Sequence, residues 1–139
     1  PKIKTIAKLI SKLKRKKELE IIDLGSGNGD VLIHLAKDKK IKSKLTGHEI
    51  NPILVAESKY KIKKEKLSHK IKIRTKNFWK HTWTKFDVLI IFQFGAYMEK
   101  IENKIKRECK KGTVIISNHW KFPNLTPYKV ENDIYMYKI

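Results

Sequence analysis

Three short runs of the chain are dominated by apolar residues, at 19–24, 86–92 and 113–117, and each ends near glycine or polar residues. Runs of that length and bias predict strands buried on both faces. Between them the apolar spacing changes. Ile3, Ile6, Ile10 and Leu13 recur every three or four residues, one stripe on a helix predicted over 2–16 with lysines elsewhere. Helices are also predicted over 30–38, over 52–67 with Pro52 in the first turn, and over 96–109. A strand is predicted over 44–50. At 70–75, Ile71 and Ile73 alternate with basic residues, as in a half-exposed or edge strand. Gly112 marks a turn, and Asn132-Asp133 divides the β-prone stretch 127–139 into two strands.

Strands alternating with helices imply right-handed βαβ units and a mainly parallel α/β sheet, with the closing hairpin adding antiparallel strands at one edge. In such sheets a ligand sits beyond the carboxyl ends of the strands, at the point where the strand order reverses. The chain shows no repeat, low-complexity tail or Pro/Gly/Ser linker, so 139 residues read as a single domain, 1–139.

Composition narrows this picture. The hydrophobic fraction of 40% is enough for one core. No apolar run approaches the roughly 20 residues of a membrane span. One cysteine, Cys109, excludes a disulfide framework and a multi-cysteine metal cluster; no metal is expected, and a reducing, intracellular setting is the simplest reading. The net charge of +19 points towards nucleic acid or an anionic membrane. Only three of the 33 basic residues are arginines, however, and there are 20 isoleucines, a joint excess that fits an AT-rich coding bias. Dedicated phosphate binders use arginine more heavily, because its fork pairs bidentately. The charge is also uneven: residues 1–17 hold eight bases and no acid, and 59–76 hold nine bases and one acid. The first of these segments makes helix 2–16 a candidate contact for anionic lipid.

The segment that carries chemistry is Asp23-Leu24-Gly25-Ser26-Gly27-Asn28-Gly29-Asp30, after one predicted strand and before a helix. Its spacing is G-x-G-x-G. It is neither the dinucleotide pattern G-x-G-x-x-G nor a P-loop, since no Lys-Ser/Thr follows. A carboxylate two residues before the first glycine would repel a pyrophosphate and suits a ligand bearing an ammonium and a sulfonium. Glu49, at the end of the next strand, can accept hydrogen bonds from both hydroxyls of a ribose. Asn77-Phe78, after the third strand, could meet an adenine through the Asn oxygen and the Phe ring; an ordinary turn accounts for the same two residues.

DLGSGNGD, HEINP, NFW, FDVLIIF and KKGTVIISNHW together resemble the class I, seven-strand methyltransferases that use S-adenosylmethionine. More narrowly they resemble the small archaeal protein-lysine methyltransferases and their mitochondrial relatives, among them the ATP synthase c-subunit lysine methyltransferase family. The resemblance runs from about residue 3 to the end. The first loop is specific to the superfamily, and later segments such as FPNLTP at 122–127 carry the narrower match.

The resemblance implies a Rossmann-like seven-strand sheet in three αβα layers, S-adenosylmethionine as cofactor and a protein lysine as methyl acceptor. It assigns Gly25, Gly27 and Gly29 to the methionine side of the cofactor, with Ser26 and Asp30 in the same loop. Asp23 would orient that loop or meet the amino group. Glu49 would hold the ribose, Ile50 and Asn51 would lie beside the adenosine, and Asn77 and Phe78 would meet adenine. Phe92 and Gln93 would lie near the reacting methyl. Gln93, Tyr97, His119 and Trp120 are the substrate-side candidates, and no residue stands out as general base. Relatives often carry more chain before the position of Pro1, some of it membrane-associated. The stretch after Trp120 leaves little room for a substrate-recognition insert. The alternative function is RNA or DNA methylation, which the charge favours. Against it, enzymes that methylate nucleic-acid amines usually carry Asn/Asp-Pro-Pro-aromatic after the fourth strand, where this chain has Phe92-Gln93-Phe94-Gly95.

Overall fold

The computed structural model describes residues 2–13, 17–93 and 95–139. In chain order the elements are α1 (Lys2–Ser11), β1 (Leu19–Leu24), α2 (Asp30–Lys37), β2 (Ser43–Glu49), α3 (Pro52–Lys64), β3 (Ile71–Thr75), β4 (Val88–Ile91), α4 (Met98–Glu108), β5 (Val114–Asn118), β6 (Lys129–Glu131) and β7 (Ile134–Lys138). Short 3-10 turns at Phe78–Lys80 and Gly95–Tyr97 precede β4 and α4. Residues 14–16 of the predicted first helix, and Phe94 in the stretch after β4, lie outside the described residues.

The seven strands form one sheet in the order β3-β2-β1-β4-β5-β7-β6. The first five run parallel, and β7 is antiparallel to both β5 and β6. The order therefore reverses between β1 and β4, which places the loop after β1 at the switch point. Alternation along the strands divides the core in two. Ile21, Val88, Ile90, Val114 and Ile116 meet the apolar stripes of α1, α2 and α3 on one face. Ile22, Leu24, Leu89, Ile91 and Ile115 meet Ile101 and Ile105 of α4, together with Trp83, Phe86 and Phe122, on the other. The second face is covered less completely. Between β3 and β4 the described chain has one 3-10 turn and no α-helix, so the outer face of β2 and β3 lacks a helical cover.

Four predicted boundaries move by two residues or more. The first helix, predicted to reach 16, ends at Ser11, where Lys12 N–H and Leu13 N–H bond three residues back, to Leu9 O and Ile10 O, at 3.3 and 3.0 Å. α3 ends at Lys64 rather than 67: Lys66 adopts a left-handed φ of 59°, with Leu67 N–H donating to Ile62 O at 2.9 Å and Lys66 N–H to Lys63 O at 3.0 Å, a Schellman stop. The helix predicted from 96 opens instead as the 3-10 turn and becomes α-helical at Met98. Of the predicted 86–92 strand the regular part is Val88–Ile91, and Asp87 still bonds to both neighbours, its N–H donating to Glu20 O at 2.7 Å and its O accepting from Val114 N–H at 2.9 Å. Asn132 and Asp133, at φ 50° and 61°, make the two-residue turn of the β6–β7 hairpin, because a pair of left-handed residues matches the twist of its flanking strands.

α1 is basic, but two of its cations are committed within the fold. Lys2 Nζ donates to Asn118 Oδ1 at 2.6 Å and lies 3.4 Å from Asp133, while Lys8 pairs with Glu131 at 2.8 Å. These contacts tie the helix to β5 and the hairpin. Asp87 ties β1 to β4: its Oδ2 accepts from Glu20 N–H at 2.9 Å and its Oδ1 meets Lys110 at 2.9 Å. Burial alone would raise its carboxyl, but those donors hold it below the usual range. Among the described residues no helix is long and apolar enough to cross a membrane.

Candidate active site

The loop after β1 is held by its neighbour strand. Gly25 N–H and Ser26 N–H both donate to His48 O, at 2.9 and 3.1 Å. Gly25 has φ 81°, and a Cβ there would lie 2.7 Å from Gln93 Nε2. The torsion requires glycine, and a Cβ would in addition oblige the end of the Gln93 side chain to shift. Gly47 in β2 has a different reason: a Cβ would stand 2.6 Å from Ser26 Oγ and 2.7 Å from Ile73 Cδ1, so its absence lets the loop sit down on the sheet.

Glu49 joins this loop to the next helix. Its Oε1 accepts from Gly27 N–H at 2.8 Å and its Oε2 from Asn51 N–H at 3.0 Å. Asn51 in turn caps α3, its Oδ1 accepting from Ile53 N–H at 2.9 Å. Ser58 Oγ reaches back from α3 to Gly27 O at 3.0 Å. The carboxylate stands where the chain crosses from strand to helix, so both oxygens keep lone pairs for a further donor.

A cleft of about 440 Å³ opens beside these groups. Of the residues expected at a cofactor, it brings together Gly25, Glu49, Ile50, Asn77, Phe78, Phe92 and Gln93. Gln93 Nε2 donates to Leu24 O at 3.1 Å, which fixes the amide and leaves its Oε1 as acceptor. Asn77 is already in use, since its Oδ1 accepts from Trp79 N–H at 3.0 Å and caps the 3-10 turn.

The other expected residues do not line the cleft. Asn51 is the helix cap just described. Gly27 meets Glu49 through its N–H, and Gly29 lies against Ser58. Ser26 is buried against β2, and its Oγ has no hydrogen-bond partner. Asp30 is exposed at the start of α2, paired with Lys61 at 2.7 Å. Asp23 is buried at the end of β1, 3% exposed, and its Oδ1 has no partner. Burial, and then Glu49, push its carboxyl up to about 7. A buried carboxyl with an orphan oxygen below a glycine loop fits a ligand that brings a cation, because an ammonium would supply both the missing donor and the opposing charge.

Of the substrate-side candidates, Gln93 and Tyr97 line the cleft. Trp120 packs over Gly95, where a Cβ would lie 2.6 Å from its ring. His119 turns away: with φ 71° it places Nδ1 2.6 Å from Asp133 of the hairpin.

Three cleft residues lie outside the sequence-based expectation: His48, Lys76 and Trp79. Trp79 follows Asn77-Phe78 directly, and the pair of adjacent aromatic rings is the signal that could have found it. His48 is 6% exposed with no partner on Nδ1. Burial, then His81, Lys76, Arg74 and Lys85, lower it to about 4, so the ring is neutral at pH 7. Among the described residues no group of three His, Cys, Asp or Glu side chains could hold a metal ion.

Comparison with known proteins gives the same outline. The model of the ANTKMT methyltransferase domain matches residues 23–129. The ATP synthase c-subunit lysine N-methyltransferase of Homo sapiens is 30% identical over 124 residues, covering 89% of this chain and 52% of that protein. A protein-lysine N-methyltransferase of Saccharolobus islandicus (strain REY15A) is 27% identical over 127 residues, 91% of this chain and 78% of that one. The chain thus spans about half the length of its human relative. An RNA methyltransferase from Salinibacter ruber, solved with S-adenosyl-L-homocysteine, superposes with a TM-score of 0.84 at 18% identity, covering 99% of this chain and 88% of that one. At that identity the likeness shows the methyltransferase fold alone.

Proposed function

The chain belongs to the ANTKMT methyltransferase domain family, and from that premise we propose that it transfers a methyl group from S-adenosylmethionine to the side-chain amine of a lysine in a protein. The observation that carries this reading is the acidic pair at the switch point: Glu49 bonded to Gly27 N–H, and Asp23 buried with an unmet oxygen. A cofactor with ribose hydroxyls and a cationic amino-acid end matches both.

Gly25 and Gly27 would let the methionine end approach the main chain. Asp23 would hold its ammonium, Glu49 its ribose, and Phe78 and Trp79 would flank the adenine. S-adenosylmethionine supplies a methyl group already activated on a positively charged sulfur, so positioning dominates the catalytic task. The acceptor amine must be neutral to attack. From an ordinary lysine value near 10.4, neutralising it at pH 7 costs about 4–5 kcal/mol. Lys76 in the cleft wall and the apolar surfaces of Phe92 and Tyr97 disfavour an ammonium there and reduce that cost. Gln93 Oε1, free because Nε2 is spent on Leu24 O, would accept an amine N–H and orient the lone pair.

Incubating cell extract with the protein and methyl-labelled cofactor tests the reading. Label in macromolecules that is removed by protease and resists nuclease is the expected result. Label removed by nuclease would instead establish nucleic-acid methylation and overturn the proposal.

A further inference from the structure

β3 is the edge of the sheet on its parallel side. Leu45 N–H donates to Lys70 O and Lys76 N–H to Glu49 O, so the main-chain groups of residues 70, 72, 74 and 76 face β2. Those of Ile73 and Thr75 consequently face outward, with no neighbouring strand among the described residues. Hollows lie on both sides of this edge. One, of about 640 Å³, runs along α3 and is lined by Lys59 and Lys63 with Lys72 and Arg74. The other, of about 430 Å³, lies under the uncovered face of β2 and β3 and is lined by Lys72, Arg74, Lys76, Lys85, His48 and His81. No carboxylate lines either hollow.

We infer that the β3 edge is a docking site for an extended acidic segment of a protein partner, which would add as a further strand. Side chains alternate across an added strand. Carboxylates on one side of it would meet the cations of α3, and those on the other would meet Lys72, Arg74 and Lys85. The outward N–H and C=O groups of Ile73 and Thr75 would supply the register. Lysine on an edge ordinarily prevents copies of a chain from pairing with one another, so the same charges that refuse a second copy admit an acidic strand. A single-stranded nucleic acid fits less well. Its bases need several exposed rings to stack on, and of the rings in the hollow Phe86 and His48 are buried, which leaves His81 alone. A lipid headgroup makes no use of a hydrogen-bonding edge. That the segment belongs to the methylated protein rests on the function proposed above; the binding itself does not.

The probe is a fluorescent ten-residue peptide of repeated Glu-Glu-Val-Val, which carries carboxylates on both faces of an added strand, followed by anisotropy at low and at physiological salt. Lys72→Glu/Arg74→Glu should weaken binding at least about tenfold. Lys39→Glu/Lys40→Glu, the same charge change elsewhere on the surface, should alter it less than about twofold. Lys59→Glu/Lys63→Glu on α3 gives a second test should the first variant fail to fold. A peptide N-methylated at every amide should lose the binding too. Equal losses in the edge and control variants, undiminished binding of the N-methylated peptide, or displacement of the peptide by oligouridylate or phosphatidylserine vesicles at lower concentration would each overturn the inference. Calorimetry with S-adenosylmethionine on Lys72→Glu/Arg74→Glu should match the wild type, so failure at the edge stays distinct from failure at the cleft.

Discussion

The switch point and the β3 edge are separated by a single strand and have opposite chemistry. At the switch point two acids, Asp23 and Glu49, meet a glycine loop, and one of them is buried without a full set of partners. At the edge, cations surround two hollows that no carboxylate lines. His48 and Lys76 belong to both, each touching the cleft and the basic hollow. A net charge of +19 therefore describes neither region. On the two proposals above, the centre of the sheet takes a ligand that carries positive charge, and the flank one that carries negative charge. The sum over the chain hides that division.

The largest effect is expected from removing the carboxylate beside the glycine loop. Glu49→Ala deletes the acceptor of Gly27 N–H and Asn51 N–H together with the proposed ribose contact. It should weaken S-adenosylmethionine about 30- to 100-fold by calorimetry; wild-type affinity would remove Glu49 from the site.

Titration should set the two regions against each other. The Asp23 carboxyl is raised from 3.8 to about 7, so the folded chain keeps a proton there that the unfolded chain has released. Its contribution to stability is present below about pH 4 and is lost as pH rises towards 7. His48 is lowered from 6.5 to about 4, so its contribution is present above pH 6.5 and is lost as pH falls towards 4. Urea midpoints measured from pH 4 to 8 should show Asp23→Asn gaining on the wild type as pH rises, and His48→Gln gaining as pH falls. The same sign in both variants would refute the opposition. An ammonium that binds Asp23 stabilises its ionised form, so cofactor binding near pH 6.5 should release a proton.

Gly25→Ala tests the loop together with Gln93. The left-handed torsion costs about 1–2 kcal/mol for a residue with a side chain. The new Cβ would also displace Gln93, so turnover should fall further than cofactor affinity. A variant that loses only affinity would free Gln93 from its role with the amine. The smallest effect belongs to a surface pair remote from both regions: Lys8→Ala removes the contact to Glu131 and should shift stability by less than about 0.5 kcal/mol.

Much of this is readable in the chain. β1 appears with its predicted bounds because a buried strand announces itself by apolar content and a terminating glycine, both local properties. The hairpin turn is equally local, since Asn-Asp tolerates two left-handed torsions. Glu49 can be placed because it ends the strand next to the glycine loop. Other features depend on distant chain. Nothing near Lys2 foretells Asn118 or Asp133, so a helix that reads as a free basic face has part of its charge spent internally. Ser26 sits between two glycines of the loop, yet its torsions turn it onto Gly47 and away from the cleft. The open face of β2 and β3 follows from a helix that is absent between β3 and β4, and hydrophobic periodicity marks elements rather than gaps. His48 escapes a sequence reading for that reason: its surroundings come from β3 and the 81–86 loop.

The ties from α1 to β5 and the hairpin have a consequence for synthesis. Ile6, Leu9 and Ile10 are buried in a core that includes Ile134 and Met136 of β7, and Lys2 and Lys8 bond to residues 116 to 131 positions further along. A ribosome adding about 5–20 residues per second needs roughly 6 to 25 seconds to pass from α1 to β7. During that interval the helix can pack on α2 but has no hairpin to close over it. Its apolar stripe is therefore only partly seated until β7 emerges, and a chaperone would find the remainder accessible for that interval.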